Sequence, residues 1–400
     1  MVYQELQQAL VTVKGVLFLV FFAVGCVGIV STQVIGLKLL KAGSESRQKL
    51  IDLTRTQFVA LMTFVVSYMS PCKITITHDP DSVPENNYFR VDSKGNLVSS
   101  LTPNCVFIGN HQIYTDWLFI WFINQSSRLG GHFHIIMKNL SNIPVLGYGM
   151  KNFNFMFLSR KWESDKAVLS GQLATIDSNA RGVGPSNKDN KEHWPYSVLI
   201  YPEGTVVSEN TKQRSAKFLA GKGLPPLKHV LFPRVRGLYL TLRGLRKSAT
   251  VVYDVTCGYA GLKPEDCGED LFSLKNVFLR GNGPQASHYY IRAWKLSDIP
   301  LGDENTATDD FDEEQLAVFE KWLTKVWFEK DKLMASFYQH GRFIDPNSST
   351  SNTLDKVKRN TVTADFKVRQ ISDVVGAFGT LAFFVILINL IWVSASSFLA

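Results

Sequence analysis

Several common signatures of chemistry are missing from this sequence. Its 400 residues hold five cysteines, Cys26, Cys72, Cys105, Cys257 and Cys267. The number is odd, the spacings are wide and no Cys-x-x-Cys pair occurs, which argues against a zinc ribbon or a disulfide framework. They read as reduced thiols facing a reducing compartment. No Gly-x-Ser-x-Gly elbow is present, which disfavours a serine-nucleophile lipase. Gly221-Lys222-Gly223 lacks the spacing of a phosphate loop. His132-x-His134 has the spacing to share one strand face and hold a metal, but no third ligand is evident. No repeat period appears.

Charge is missing from particular stretches. Residues 15–37 (GVLFLVFFAVGCVGIVSTQVIGL) carry none, and a bilayer-crossing helix needs roughly 20 apolar residues. The run continues past the small residues Ala23-Val24-Gly25, which favours an uncleaved anchor over a signal peptide. Residues 374–393 (VVGAFGTLAFFVILINLIWV) are likewise uncharged and read as a second anchor. Phe58–Met69 is apolar but short and closed by Pro71, which suits an interfacial or re-entrant helix, or else a core helix of the globular part. Lys38, Lys41, Arg47 and Lys49 follow the first anchor, and Lys356, Lys358, Arg359, Lys367 and Arg369 precede the last. Both biases put residues 38–373 in the cytosol and the termini in the lumen. The glycosylation-like triplets at Asn124, Asn139 and Asn347 should then be unmodified.

Acids are absent from Lys212 to Lys247, where Lys and Arg occupy positions 212, 214, 217, 222, 228, 234, 236, 243, 246 and 247. The whole chain is basic, with 43 Lys and Arg against 35 Asp and Glu. Such a field suits acidic headgroups or a phosphorylated co-substrate, or is simply a solvated basic face. Two anchors and the lack of a binding motif argue against nucleic acid.

Between the anchors, short apolar segments alternate with helical ones. Strands are expected at 74–77, 106–109, 134–137, 155–158, 197–200, 230–232 and 249–258, and helices at 117–124 and 163–178. Residues 311–338 place Leu316, Phe319, Leu323, Val326, Trp327, Leu333, Met334 and Phe337 at helical spacing, with acids crowding the start. The fold class is therefore α/β: a mixed sheet flanked by helices, with N-terminal membrane helices and a C-terminal transmembrane helix. The expected organisation is a membrane region at 1–72, a catalytic domain at 73–344, a flexible linker at 345–370 and an anchor at 371–400.

The sharpest local signal is Asn110–Trp117 (NHQIYTDW), where His111 and Asp116 stand five positions apart directly after a buried strand. On one helix, five residues turn by about 140°, so the two side chains would not meet. They meet if His111 lies in the strand-to-helix turn and Asp116 in the first helical turn. Asp116 would then fix the imidazole tautomer, and His111 would serve as a general base for a hydroxyl. Three further blocks follow. Phe155–Arg160 ends an apolar strand on Arg160, whose guanidinium can fork onto a phosphate. Leu199–Thr205 runs a strand into Glu203-Gly204-Thr205, where backbone N–H groups and the Thr205 hydroxyl can donate to an anion. Glu203 could orient Arg160 or accept from a substrate hydroxyl. Val230–Gly237 is broken by Pro233, a candidate wall for an acyl chain.

Taken in this order, the four blocks resemble the glycerolipid acyltransferase family, which includes the 1-acylglycerol-3-phosphate acyltransferases. Tyr253–Tyr259 (YDVTCGY) and Phe319–Asp331 (FEKWLTKVWFEKD) resemble its eukaryotic lysocardiolipin and lysophosphatidylinositol acyltransferase branch. One departure is Tyr114-Thr115, where members often carry a small serine. The resemblance implies an acyl-CoA-dependent transfer to a lysophospholipid hydroxyl, with acyl-CoA as co-substrate, no other cofactor, no metal and no acyl-enzyme. His111 would deprotonate the hydroxyl and Asp116 would orient it. Arg160, Glu203, Gly204 and Thr205 would hold the phosphate and glycerol, and Pro233 would border the acyl chain. The expected location is the endoplasmic reticulum membrane, facing the cytosol. The competing readings are a CoA-independent transacylase and a catalytically silent lipid-binding membrane protein.

Overall fold

The structure, a computed structural model, describes residues 2–84, 86, 88–159, 161–184, 193–344 and 360–399. The chain opens with two long helices, α1 (Val2–Leu39) and α2 (Glu45–Met69). Strands β1 (Lys73–His78), β2 (Arg90–Val91), β3 (Leu97–Val98) and β4 (Cys105–Gly109) lead to α3 (Asp116–Gln125). Next come β5 (Phe133–Lys138), α4 (Leu146–Asn152), β6 (Met156–Leu158), α5 (Trp162–Ala180) and β7 (Ser197–Ile200). Helices α6 (Glu209–Gly221) and α7 (Val235–Leu245) precede β8 (Val251–Tyr259), α8 (Gly268–Leu271), α9 (Leu274–Leu279) and β9 (Ala286–Lys295). The 28-residue α10 (Glu313–His340), β10 (Thr361–Asp365), a short helix Ile371–Gly376 and a last helix Gly379–Leu399 complete it.

Eight strands form one mixed sheet in the order β10-β1-β9-β8-β4-β7-β5-β6. The five from β8 to β6 are parallel; β9 runs antiparallel to β8, and β10 antiparallel to β1. Strand β4 is central because all five of its residues are buried, on both faces. Cys105 and Phe107 point to the layer of α2 and α3, while Val106 and Ile108 point to the layer of α5, α7 and α10. The same alternation sends Tyr253, Val255, Cys257 and Tyr259 of β8 to the first layer and Val252 to the second.

Several local expectations are corrected. The apolar segment 58–69 is the second half of the 25-residue helix α2, which begins at Ser44 with a side-chain N-cap to Arg47 N. Its polar first half enters the protein: the Arg55 guanidinium is fully buried, donating to Phe153 O at 3.0 Å and Gly131 O at 2.8 Å. The core-helix alternative for this segment therefore fits its packing better than an interfacial or re-entrant helix. Residues 361–365, expected in a linker, form β10, where the Thr75 and Thr77 hydroxyls meet those of Thr363 and Thr361 across β1; residues 345–359 of that linker lie outside the described residues. The expected anchor 374–393 is split, since Val374 and Ala377 are buried before the exposed apolar helix Gly379–Leu399 begins. Residues 230–232 are not a strand. Among the described residues, two helices, α1 from Glu5 and α2, are long and apolar enough to cross a membrane, and α2 is the more deeply packed of them.

Candidate active site

The site lies at the carboxyl ends of three adjacent parallel strands, β8, β4 and β7, where open α/β sheets present their loops. Asn110 leaves β4 and pins the turn to β8: its Nδ2 donates to Cys257 O at 2.9 Å and its Oδ1 accepts from Cys257 N at 2.8 Å. His111 follows, and its main chain is tied to the segment after β7. Its N–H donates to Glu203 Oε2 at 3.2 Å, and its carbonyl accepts from Val207 N at 3.1 Å.

Asp116, the first residue of α3, is 1% exposed and closes the turn. Its Oδ2 takes the N–H groups of Gln112 at 2.6 Å and Ile113 at 3.1 Å, and lies 2.8 Å from His111 Nδ1. Its Oδ1 accepts the Tyr259 hydroxyl from the end of β8. An acceptor-only carboxylate at Nδ1 assigns the imidazole proton to Nδ1 and leaves the Nε2 lone pair free. Nε2 has no partner among the described residues, and the side chain is 18% exposed, so the imidazole is reachable from outside. The Tyr201 ring stacks under the imidazole at 4.3 Å between centroids and 14° between planes. Burial, then the Asp116 charge, push the hydroxyls of Tyr201 and Tyr259 to titrate well above the ordinary phenol range, so both stay neutral.

Glu203 is 3% exposed and faces inward. Besides His111 N it accepts the Trp327 indole N–H at 3.2 Å from α10. Burial pushes its carboxyl up to about 8, against the opposing pull of these donors and of the Lys330 ammonium. Gly204 takes φ +72°, and a Cβ there would sit 3.2 Å from Arg234 Nε, so the exposed Arg234 side chain lies along this turn. Thr205 is half-exposed beside it and Pro233 is buried. The proline block and the residue before it are lashed to the other two: Arg234 N donates to Pro202 O at 2.7 Å, and Gln112 Nε2 donates to His229 O at 3.1 Å.

These bonds bring the segments that carry His111, Asp116, Glu203, Gly204, Thr205 and Pro233 together at the strand ends; Arg160 lies outside the described residues. The basic run does not act as one surface. Arg243 is buried on the carbonyls of Leu301 and Ala307, Lys222 pairs with Glu320, and Arg236 with Glu313. His134 sits on β5 with Nδ1 3.3 Å from Asn154 O, and His132 Nδ1 lies 3.4 Å from Asp52. Tyr201, Tyr259 and Trp327 escaped motif reasoning. Tyr259 was visible in principle, as the last member of the Tyr253, Val255, Cys257, Tyr259 alternation and the one at the carboxyl end.

The chain is similar to proteins of a known family. Residues 78–235 match the family described as Acyltransferase, and residues 277–364 match Acyltransferase C-terminus. A 2-acyl-1-lysophosphatidylinositol acyltransferase of Saccharomyces cerevisiae is 38% identical over 374 residues, covering 88% of this chain and 91% of the relative. A probable 1-acyl-sn-glycerol-3-phosphate acyltransferase 5 of Arabidopsis thaliana is 31% identical over 63% of this chain and 58% of its own length. Lysocardiolipin acyltransferase 1 of Gallus gallus is 29% identical over 60% and 55%.

Proposed function

The chain belongs to the acyltransferase family that contains the 1-acylglycerol-3-phosphate acyltransferases, and from that premise we propose that it transfers a fatty acyl group from acyl-CoA to a free hydroxyl of a lysophospholipid. The relatives' acceptors make lysophosphatidylinositol and lysophosphatidic acid the first candidates. The observation that carries the reading is the free Nε2 of His111, on an imidazole whose opposite nitrogen is fixed by a buried carboxylate. His111 Nε2 takes the acceptor hydroxyl's proton as its oxygen attacks the thioester carbonyl. The carbon–sulfur bond breaks, and the imidazolium returns the proton to the CoA thiolate, so no acyl-enzyme forms. Asp116 orients and charge-stabilises the imidazolium.

Gly204, Thr205 and the exposed Arg234, with Arg160, serve the acceptor phosphate, and Pro233 borders the acyl chain. Glu203 serves differently from a substrate ligand: its oxygens are engaged by His111 N and the Trp327 indole, so it holds the base's main chain. The apolar helices anchor the protein in the endoplasmic reticulum membrane, and the basic flanks Lys38, Lys41, Arg47 and Lys49 favour a cytosolic site.

The test is purified protein with labelled long-chain acyl-CoA and a panel of lysolipids differing in headgroup. Transfer to an inositol or phosphatidic lysolipid, abolished by His111→Ala, is the expected result. Transfer surviving His111→Ala would refute the mechanism. Acylation from a phospholipid donor with CoA absent would favour the transacylase.

A further inference from the structure

The four sequence blocks do not hold themselves in place. Between them, their main chains offer donors and acceptors that a sheet or helix would satisfy, and several are satisfied instead by one turn of α10. Trp327 Nε1 donates to Glu203 Oε1 at 3.2 Å, across 124 positions of sequence. Asp331 Oδ1 accepts three successive main-chain N–H groups at the entry to the proline block: Lys228 at 3.0 Å, His229 at 2.7 Å and Val230 at 3.2 Å. Between these two residues, the fully buried Lys330 ammonium bonds Asp254 Oδ1 at 2.6 Å, Val255 O at 2.9 Å and Thr256 Oγ1 at 3.1 Å on β8. Arg292 closes the far side of Asp254 at 2.6 Å and joins Glu329 at 2.6 Å. A buried, multiply bonded ion pair is rigid because any departure leaves a charge unpaired.

We infer that the turn Trp327–Asp331 is a positioning element of the active site, in which Trp327 sets the His111 main chain through Glu203 and Asp331 sets the Lys228–Val230 segment against the acyl donor. The inference rests on the proposed acyl transfer from acyl-CoA. Neither side chain touches the reacting atoms. Their loss should therefore alter different kinetic constants, because they hold different parts of the site. The indole N–H fixes the carboxylate on which the base's main chain hangs, so it acts on turnover. The Asp331 cap fixes the segment that carries Lys228 and leads to Pro233, so it acts on donor affinity. Lys330 anchors the turn between them and is too deeply buried for a clean test.

The experiment is full-chain protein in detergent, assayed with labelled acyl-CoA and the preferred lysolipid, with thermal unfolding measured alongside. Trp327→Phe keeps a ring in the core and deletes the N–H; kcat should fall about tenfold with KM for acyl-CoA within twofold. Asp331→Ala should raise KM for acyl-CoA about fivefold to tenfold with kcat within threefold. Asp331→Asn should return KM to within twofold of the parent, since its amide oxygen can accept the same N–H groups. Equal KM in Asp331→Ala and the parent would overturn the inference. So would identical behaviour of the Asn and Ala variants, or a Trp327→Phe enzyme with parental kcat. An inactive parent, or activity surviving His111→Ala, would instead count against the proposed reaction.

Discussion

Asp116→Asn isolates what the carboxylate charge contributes from what its geometry contributes. In the native turn one oxygen, Oδ2, receives Gln112 N, Ile113 N and the His111 Nδ1 proton. Those two main-chain donors will hold the asparagine oxygen in the same place, so the tautomer is preserved. The loss of about 10⁴ that follows a wrong tautomer in the Ser-His-Asp template is thereby avoided. What disappears is the attraction between carboxylate and nascent imidazolium. With charge centres about 4 Å apart and an effective dielectric constant near ~20, that is about 4 kcal/mol for a full proton transfer. A transition state with the proton half transferred feels about 2 kcal/mol, so kcat should fall about 30-fold. Initial rates with saturating acyl-CoA and lysolipid, beside His111→Ala as the background, give the answer. Activity within threefold of the parent would show that the charge is not used. Activity as low as His111→Ala would show that the Gln112 and Ile113 donors do not hold the asparagine oxygen toward the ring.

Other consequences are as concrete. Tyr259→Phe removes the donor from Asp116 Oδ1; leaving that buried acceptor unpaired costs about 1–3 kcal/mol, read as a lower unfolding midpoint and a fall in kcat of about tenfold. Gly268→Ala would place a Cβ 2.5 Å from Gln112 O, a main-chain atom of the catalytic turn; kcat should fall at least about tenfold while KM changes little, and a parental kcat would mean that α8 yields instead. His78 accepts Phe89 N on Nε2 at 3.0 Å with Nδ1 2.9 Å from Asn360 O, and burial pushes it down to about 4. Its neutral form is therefore the folded form. The associated stability, about 3 kcal/mol, is fully present above the unfolded value near ~6.5 and lost as pH falls through 4. Unfolding midpoints at pH 7 and pH 4.5 should diverge less in His78→Gln than in the parent.

What the sequence discloses about this fold follows from how local each signal is. The blocks around His111 and Glu203 were legible because each begins where a buried apolar strand, β4 or β7, runs out. Parallel pairing of those strands then forces their ends together without any further instruction. The turn between His111 and Asp116 was legible for the same reason: helix geometry forbids the pair to meet unless one member stands outside the helix. The segment 230–232 misled because it is as apolar as a strand, yet its N–H groups go to side chains. Asp331 takes those of Lys228 to Val230, and Ser215 takes that of Phe232 at 2.8 Å. Apolar composition reports burial; only the donor's partner decides between ladder and loop. Helix α2 was legible only in its apolar second half, since the polar residues Arg55 and Asp52 of its first half bond inside the protein. Strand β10 and the Trp327–Glu203 contact depend on partners hundreds or over a hundred positions away, which no window can register. The legible and illegible parts therefore divide by mechanical task. The groups proposed to face substrate sit at strand ends and announce themselves by spacing, whereas groups that hold them in place can come from any element that packs nearby. A helix legible from its spacing alone, α10, can for that reason carry two of the contacts that fix the geometry of His111 and its neighbours.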